Sequence, residues 1–220
     1  MKKFFYGSIL TAILIIIISS VIVSDHSVQA STIPFTDVKE TNSHANAIVS
    51  LYNEGIITGV TSKTYEPGKS ATRGDAALYL ANALNLQNSS APNPGFKDVP
   101  TSSKYYKAIA ALNKAGVVNG YGDEFRPNAT LTRSQLAKML TIGFELEQST
   151  TTKTKFTDVN KLPDTATKKY IQTLVDYGIT KGTTATTFSP NMKLTRAQLA
   201  TFLYNAIEAT SDDFIVIGVE

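Results

Sequence analysis

Three arginines stand in the same local sequence and are the first candidates for chemistry. Each lies in a Thr-Arg-x-(Asp/Gln) pattern, and the three copies are Thr72-Arg73-Gly74-Asp75, Thr132-Arg133-Ser134-Gln135 and Thr195-Arg196-Ala197-Gln198. The pattern predicts a helix start closed by a capping box. In that box the Thr hydroxyl accepts a hydrogen bond from the backbone three residues on, and the fourth side chain reaches back to the Thr backbone. The predicted capping residues are therefore Thr72, Asp75, Thr132, Gln135, Thr195 and Gln198.

The capping box leaves the arginine unexplained. A cation at the first helical position faces the positive end of the helix dipole, which is unfavourable by roughly 0.3–1 kcal/mol. One hypothesis is an anion site, because exposed N-terminal amides and a guanidinium together suit a carboxylate or a phosphate. The alternative is structural, with the arginine folded back onto a neighbouring carboxylate or aromatic ring. Sites at Arg73, Arg133 and Arg196 on one chain would also give avidity.

The remaining reactive side chains argue against an enzyme. The chain has two histidines and no cysteine, and His26 falls within the predicted N-terminal leader, so only His44 remains. A Ser-His-Asp triad, a thiolate site or a histidine-metal site is therefore not available. A carboxylate pair of the glycosidase type is formally open, but the repeated Asp residues sit in turn contexts. We expect no catalytic residue, no metal and no cofactor.

The arginines belong to a larger unit that occurs three times. Four landmarks keep the same order in each copy, with steps of 60 to 63 residues between copies. They are Phe35-Thr36-Asp37-Val38, Phe96-Lys97-Asp98-Val99 and Phe156-Thr157-Asp158-Val159; the turns at residues 55–59, 116–120 and 178–182; Tyr65-x-Pro67, Phe125-x-Pro127 and Phe188-x-Pro190; and the three Thr-Arg pairs. Internal repetition at a fixed period indicates a repeat architecture.

The pattern of each copy predicts two helices joined by a loop. The sequence therefore predicts a mainly all-α fold of three tandem helix-loop-helix repeats. Apolar residues at three-and-four spacing mark the first helix, as in Ala47, Ile48 and Leu51. Glycines that suit a left-handed helix end follow it at residues 55, 116 and 178. No segment shows sustained two-residue alternation. We expect the Asp of each Phe-x-Asp-Val landmark to be a turn or cap residue.

The ends and the joints set the expected domain limits. Lys2 and Lys3 precede an apolar run to about Val23, and Val28-Gln29-Ala30 offers a cleavage site, which predicts a secretory signal peptide. An uncleaved membrane anchor is the alternative. The expected division is 1–30 signal peptide, 34–88 repeat 1, 95–148 repeat 2, 155–209 repeat 3 and 210–220 a short C-terminal tail.

Charge sets a limit on the partners. The chain has 21 Lys and Arg against 18 Asp and Glu, and loss of Lys2, Lys3 and Asp25 with the leader leaves a net charge of about +2. This balance provides no broad basic field, so we expect no nucleic-acid partner. Once the leader is cleaved, we expect no membrane association.

Together the landmarks resemble the S-layer homology domain. The resemblance covers about residues 34 to 209 and implies three repeats packed as a pseudo-threefold unit with binding grooves between neighbours. It implies non-covalent anchoring to the bacterial cell wall, outside the cell, through a secondary cell wall polysaccharide that carries a pyruvylated sugar. The family's arginine that reaches this sugar corresponds to Arg73, Arg133 and Arg196, and its groove-lining glycine corresponds to Gly59, Gly120 and Gly182.

The sequence also departs from the family pattern. The family often has a Trp early in the first helix and a Glu in the box, whereas this chain has no Trp and carries Asp75, Gln135 and Gln198. The loop at residues 183–187 lacks the acid found at Asp123. Two other classes of function stay open: a helical-repeat module that binds a protein at the cell surface, and a wall glycan hydrolase.

Overall fold

The computed structural model describes residues 33–86 and 90–211, and in this part of the chain it contains seven α-helices and only isolated β-bridges. The helices are α1 (Ala45–Asn53), α2 (Arg73–Ala83), α3 (Tyr106–Lys114), α4 (Arg133–Gly143), α5 (Thr157–Asn160), α6 (Thr165–Asp176) and α7 (Arg196–Ser211). The predicted all-α class is therefore confirmed. The short helix α5 starts the third copy and was not predicted.

Local chemistry explains where the helices of each pair start and end. The first helices end in the left-handed glycines Gly55, Gly116 and Gly178, with φ of 71°, 73° and 70°, as predicted. Ahead of α2, Thr72 accepts from the Asp75 amide while Asp75 accepts from the Thr72 amide. The same reciprocal bonds precede α4 and α7.

The second helix of each copy packs against the first helix of the next copy. Helix α2 contacts α3, α4 contacts α6, and α7 returns to contact α1. Because the third contact joins the last copy to the first, the three copies close into a pseudo-threefold ring. Fully buried side chains of the core come from all three copies, among them Ile48, Ile109 and Ile171.

Three backbone segments meet where the second helices begin. The Ala71 amide donates to the Leu194 carbonyl at 2.9 Å, the Leu194 amide to the Leu131 carbonyl at 3.0 Å, and the Leu131 amide to the Ala71 carbonyl at 3.0 Å. All three residues are fully buried. This closed triangle fixes the three second helices relative to one another, and with them the arginines that follow two residues later.

Two predictions fall outside the described residues. The signal peptide at 1–30 lies wholly there, and of the C-terminal tail at 210–220 only Thr210 and Ser211 are described. Within the described ranges, every helix is too short or too polar to span a bilayer.

Candidate functional site

Three grooves surround the three arginines, and each groove combines residues from different copies. The Arg133 groove, of about 450 Å³, is lined by His44, Arg133, residues 178–183, Gln198, Thr201, Phe202 and Asn205. The Arg73 groove, of about 160 Å³, is lined by Arg73, residues 117–121, Gln135, Lys138 and Met139. The Arg196 groove, of about 250 Å³, is lined by Thr58, Gly59, Val60, Lys69, Ser70, Thr72, Asp75, Leu78, Tyr79, Lys104, Tyr105 and Arg196.

The arginine of one copy meets the glycine turn of the next. Arg73 shares a groove with Gly120, Arg133 with Gly182, and Arg196 with Gly59. The structure therefore brings all six residues together in pairs, and each pair crosses a boundary between copies. Binding grooves between neighbouring copies are what the family resemblance implies.

The arginines are buried, with exposed fractions of 7%, 5% and 4% for Arg73, Arg133 and Arg196. In each case Nε donates to the carbonyl of the aromatic residue before the proline in the next copy. The bonds are Arg73 to Phe125 at 3.0 Å, Arg133 to Phe188 at 2.7 Å and Arg196 to Tyr65 at 2.8 Å. These bonds tie each copy to its neighbour and close the ring.

Aromatic rings flank each guanidinium. The Arg133 guanidinium carbon lies 4.5 Å from the ring centre of Phe188 and 5.0 Å from that of Phe202. Phe125 and Tyr121 flank Arg73 in the same way, and Tyr65 and Tyr79 flank Arg196. Such contacts partly offset the loss of water around a buried cation. The structural alternative, an arginine folded onto a ring, thus describes part of what these side chains do.

The aromatic carbonyls are themselves held in place by the Phe-x-Asp-Val landmark. Asp158 accepts from the Phe188 amide at 3.1 Å and the Ser189 amide at 2.7 Å. Asp37 and Asp98 bind the corresponding amides in copies one and two. The residue after each aromatic has a positive φ between 57° and 63°. The predicted turn role of these aspartates is confirmed.

The exposed helix N-terminal amides expected at the anion site are not free. The Arg133 amide donates to the Met192 carbonyl at 3.1 Å, and the Ser134 amide donates to the Pro190 carbonyl at 3.0 Å. The first two amides of α2 and α7 donate to the following copy in the same way. That expectation is wrong because the loop of the next copy covers each helix start. An anion beside these arginines therefore cannot rely on the first two amides of the helix.

The turn glycines are required by close packing. A Cβ at Gly120 or Gly182 would collide with Phe96 or Phe156, the first residue of the Phe-x-Asp-Val landmark, and with a loop carbonyl. At Gly182 that carbonyl, from Thr187, would be only 2.6 Å away. Gly59 meets the corresponding collision with Phe35. The glycines therefore let the turn lie against the core, and they give each groove a wall without side chains at that point.

The three guanidinium groups differ in how well they are satisfied. In Arg196, Nε and Nη2 donate to the carbonyls of Tyr65 and Thr58, and Nη1 lies 3.6 Å from Asp75 Oδ2. In Arg73, Nη2 donates to the Asn119 carbonyl at 3.2 Å. In Arg133, Nη2 is buried and has no hydrogen-bond partner among the residues described.

Burial without a strong partner also affects the ionisation of the Arg133 side chain. It lowers the pKa of Arg133 to about 10, although Asp158 acts to raise it. Burial likewise lowers the pKa of Arg73. For Arg196, burial acts to lower the pKa, but Tyr79, Tyr65 and Asp75 together raise it. The Arg133 guanidinium is thus the one of the three with the clearest need for an acceptor.

Several groove residues were not predicted as site residues. One wall of the Arg133 groove is a stripe on α7 in which Thr201, Phe202 and Asn205 join the predicted capping residue Gln198 at spacings of three and four residues. Helical spacing from the capping-box residue would have found this stripe. His44 could not be found this way, because it comes from the first copy. Its Nδ1 lies 2.7 Å from Thr201 Oγ1.

Comparison with known proteins agrees with this architecture. The family model of the S-layer homology domain matches residues 34–77, 95–137 and 155–200. An S-layer protein of Bacillus thuringiensis subsp. finitimus is 33% identical over 92% of this chain, and a surface-layer 125 kDa protein of Lysinibacillus sphaericus is 34% identical over 94%. An exoglucanase of Acetivibrio thermocellus is 29% identical over 84%.

The matched segment is a minor part of each relative. The chain spans 24% of the length of the first of these proteins and 17% of the other two. What is shared is therefore the repeat unit and not a whole protein. With three tandem matches over most of the described residues, the chain belongs to the S-layer homology domain family.

Proposed function

We propose that this chain is a non-enzymatic, exported module that holds itself to the bacterial cell wall by binding a secondary cell wall polysaccharide in its grooves. The observation that carries the proposal is that Arg133, whose Nη2 has no hydrogen-bond partner among the described residues, lines the largest of the three grooves. A guanidinium in this position suits an anionic substituent of a sugar, and the pyruvate of a pyruvylated sugar carries such a carboxylate.

The relatives support wall association more than any catalytic activity. Two are named as surface-layer proteins, and the relative named as an exoglucanase shares only 17% of its length with this chain. A segment common to proteins with such different names fits attachment better than it fits the reaction of any one of them. We therefore place the protein at the cell surface, within the wall.

A cosedimentation experiment tests the proposal. The chain without residues 1–30 corresponds closely to the compact unit that starts at Thr32. It should cosediment with purified walls and remain in solution with walls stripped of their secondary polysaccharide. Equal binding to both preparations would contradict polysaccharide binding. Loss of binding after protease treatment of the walls would favour a protein partner, and release of reducing sugars above a mock preparation would contradict the non-enzymatic part.

A further inference from the structure

The second helices of copies one and two end in the same way. A residue with a positive φ, Asn85 at 54° or Glu145 at 52°, turns the chain back after α2 and α4. The next residue is a leucine whose amide donates to a carbonyl inside the helix, at 2.8 Å for Leu86 and at 3.0 Å for Leu146. Leu146 is buried, and Leu86 packs against the hydrophobic core. In both copies an apolar residue therefore returns to cover the end of the second helix, as is common after a left-handed helix end.

The second helix of copy three does not end in this way. Counted from the capping threonines, Glu208 and Ala209 occupy the positions of Asn85 and Leu86. Both lie within α7, which continues to Ser211. The described part of copy three therefore contains no apolar residue that returns over the end of its second helix.

A cavity of about 530 Å³ lies where such a residue would pack. At the end of α3, Ala115 and Val117 line a smaller cavity, of about 340 Å³, together with the returning Leu86. Glu54 and Ile56 are the equivalent residues at the end of α1, and they line the 530 Å³ cavity. Its opposite wall comes from the last two turns of α7. The two sites are thus equivalent in the repeat, and the larger one lacks the returning side chain.

The 530 Å³ cavity suits an apolar occupant. Its walls include the partly buried apolar side chains of Leu84, Phe144 and Ile207. Among the described residues that line it none is basic, and Glu54 is acidic, so an anionic ligand is disfavoured. Leu84 and Phe144 directly follow α2 and α4, and the arginines stand at the other ends of these helices. A helix of eleven residues is about 16 Å long, so this cavity is separate from the arginine grooves.

The sequence after Ser211 contains a segment with matching chemistry. Residues 214–219 read Phe-Ile-Val-Ile-Gly-Val, carry no charge and follow two aspartates. Thr210 and Ser211 line the cavity, and Phe214 comes three residues after Ser211, a reach of up to about 10 Å. The apolar side chains of this segment are more stable when buried than in water. The segment is therefore close enough and apolar enough to occupy the cavity.

We infer that residues 214–219 turn back after α7 and pack in the 530 Å³ cavity. The first apolar side chains of the segment take the position that Leu86 and Leu146 hold in the other two copies. The tail thereby completes the third copy. Docking also fixes the direction in which the chain leaves the repeat unit, at the end away from the arginines. The inference rests on packing alone and does not depend on the proposed function.

A spin label at the end of the tail tests this inference. The chain has no cysteine, so Glu220→Cys in a chain of residues 31–220 provides a single site for a nitroxide label and leaves the apolar segment unchanged. NMR then measures how far the label broadens the methyl signals of Leu84, beside the cavity, and of Leu131, which precedes α4 at the arginine end. A second labelled chain also carries Ile215→Asp and Ile217→Asp, because charges in the segment oppose its burial.

We expect the label to remove most of the Leu84 signal intensity and to leave Leu131 nearly unchanged. The two aspartates should restore the Leu84 signal. Without the label, they should also raise the fluorescence of a hydrophobic dye, because the cavity becomes uncovered. Thr150→Asp/Thr152→Asp places the same charges at exposed positions before copy three. This matched control should leave the dye fluorescence unchanged, and thermal melts show that each variant is folded.

Three results would overturn the inference. The first is an unaffected Leu84 signal in the labelled chain with the native segment, whatever the aspartate variant does. The second is equal broadening with and without the aspartates, which would mean that a tail that is not docked produces it. The third comes from a mixture of labelled chains with unlabelled, isotope-enriched chains. Broadening of Leu84 in the unlabelled chains would show that the tail packs on a second copy of the protein.

Discussion

At the residue scale, the three arginines show how the same fold can satisfy the same buried side chain to different degrees. A buried guanidinium loses its water and needs replacement partners. The aromatic carbonyl of the next copy supplies one partner to each of the three. The remaining guanidinium nitrogens differ in their partners. Arg196 has the Asp75 carboxylate beside it, whereas Arg133 Nη2 has no hydrogen-bond partner among the described residues. The same residue type therefore has a full set of partners at one boundary between copies and an unsatisfied hydrogen-bond donor at another, within the described residues.

This difference predicts unequal costs of removing the two side chains. Arg196→Ala should destabilise the protein by roughly 3 kcal/mol, because it leaves the buried Asp75 carboxylate unpaired. Arg133→Ala should cost only about 1 kcal/mol, since it removes one hydrogen bond together with a poorly compensated charge. Urea unfolding measures both. The double variant Arg196→Ala/Asp75→Asn should recover part of the loss, and equal costs for the two single variants would contradict the prediction.

Removing the Arg133 side chain should have a large effect on ligand binding, in contrast to its small expected effect on stability. We expect Arg133→Ala to weaken binding of a pyruvylated wall fragment about ten- to a hundredfold, the equivalent of about 1.5–3 kcal/mol. Arg133→Lys should restore only part, because an ammonium lacks the two-pronged geometry of a guanidinium. Calorimetry provides the measurement, and a thermal melt of each variant shows that it is folded. Equal weakening for a fragment stripped of pyruvate would show that Arg133 binds another group.

The lowered pKa of Asp158 predicts that the stability of the protein depends on pH. Burial acts to raise the pKa of Asp158, but the backbone N–H groups of Phe188 and Ser189 outweigh it, so the pKa lies below its ordinary value of 3.8. A carboxylate with a lowered pKa contributes stability above the pKa of the unfolded chain and loses it as pH falls through the folded value. Asp158→Asn should therefore flatten the fall of the free energy of unfolding between about pH 5 and pH 2. Urea unfolding at several pH values tests this, with the exposed Glu208→Gln as control, and an unchanged slope would contradict it.

At the element scale, the capping box and its glycine explain how neighbouring copies approach. Gly74 is the second residue of α2, where the other copies have Ser134 and Ala197. A Cβ at Gly74 would lie 2.8 to 2.9 Å from ring atoms of Tyr105. The missing side chain thus lets Tyr105 pack over the helix start and donate its hydroxyl to Asp75. A glycine that is unfavourable for the helix on its own is favourable for the contact between copies one and two.

Gly74→Ala should therefore destabilise the protein despite the higher helix propensity of alanine. Overpacking of this kind costs about 1–3 kcal/mol, against a propensity gain of at most about 1 kcal/mol. We expect a melting temperature lower by several degrees, since about 1 kcal/mol corresponds to roughly 2–4 °C in a chain of this size. Ser134→Ala, at the same position of α4, is the matched control and should change the melting temperature little. A higher melting temperature for Gly74→Ala would contradict the packing argument.

The features predicted from sequence are those that depend on neighbours in the chain. The Thr72 capping box and the left-handed Gly55 need only a few consecutive residues, so the pattern contains them. The contact of Arg133 with Phe188, and the covering of the α4 amides by the loop before α7, join residues more than fifty positions apart. Nothing local to Arg133 signals that its partner comes from the next copy. The expectation of free amides failed for this reason.

At the scale of the whole molecule, the decisive property is that the ring closes. In an open solenoid each repeat contacts only its neighbours, and removing a terminal repeat leaves the others folded. Here α7 packs on α1, Arg196 binds the Tyr65 carbonyl, and the Leu194 carbonyl accepts from the Ala71 amide. The third copy is therefore a neighbour of both others, and every copy stands between two.

Closure predicts that the three copies unfold together and that none can be spared. Deleting residues 155–211 exposes the apolar faces of α1 and α4 and leaves the Arg133 guanidinium without the Phe188 carbonyl. It also removes Leu194, and with it two of the three backbone hydrogen bonds that join Ala71, Leu131 and Leu194. We expect the chain of residues 31–220, with all three copies present, to melt in one transition when unfolding is followed by circular dichroism. The shortened chain should lose the sharp transition and bind a hydrophobic dye, because the lost contacts belong to every remaining copy. The contrary result is a shortened chain that unfolds cooperatively in urea, with a dependence of the unfolding free energy on urea concentration near two thirds of that of the full chain. That result would mean that contacts between copies one and two are enough for a stable fold. The fold would then be a solenoid whose stability does not depend on the contact between its first and last copies.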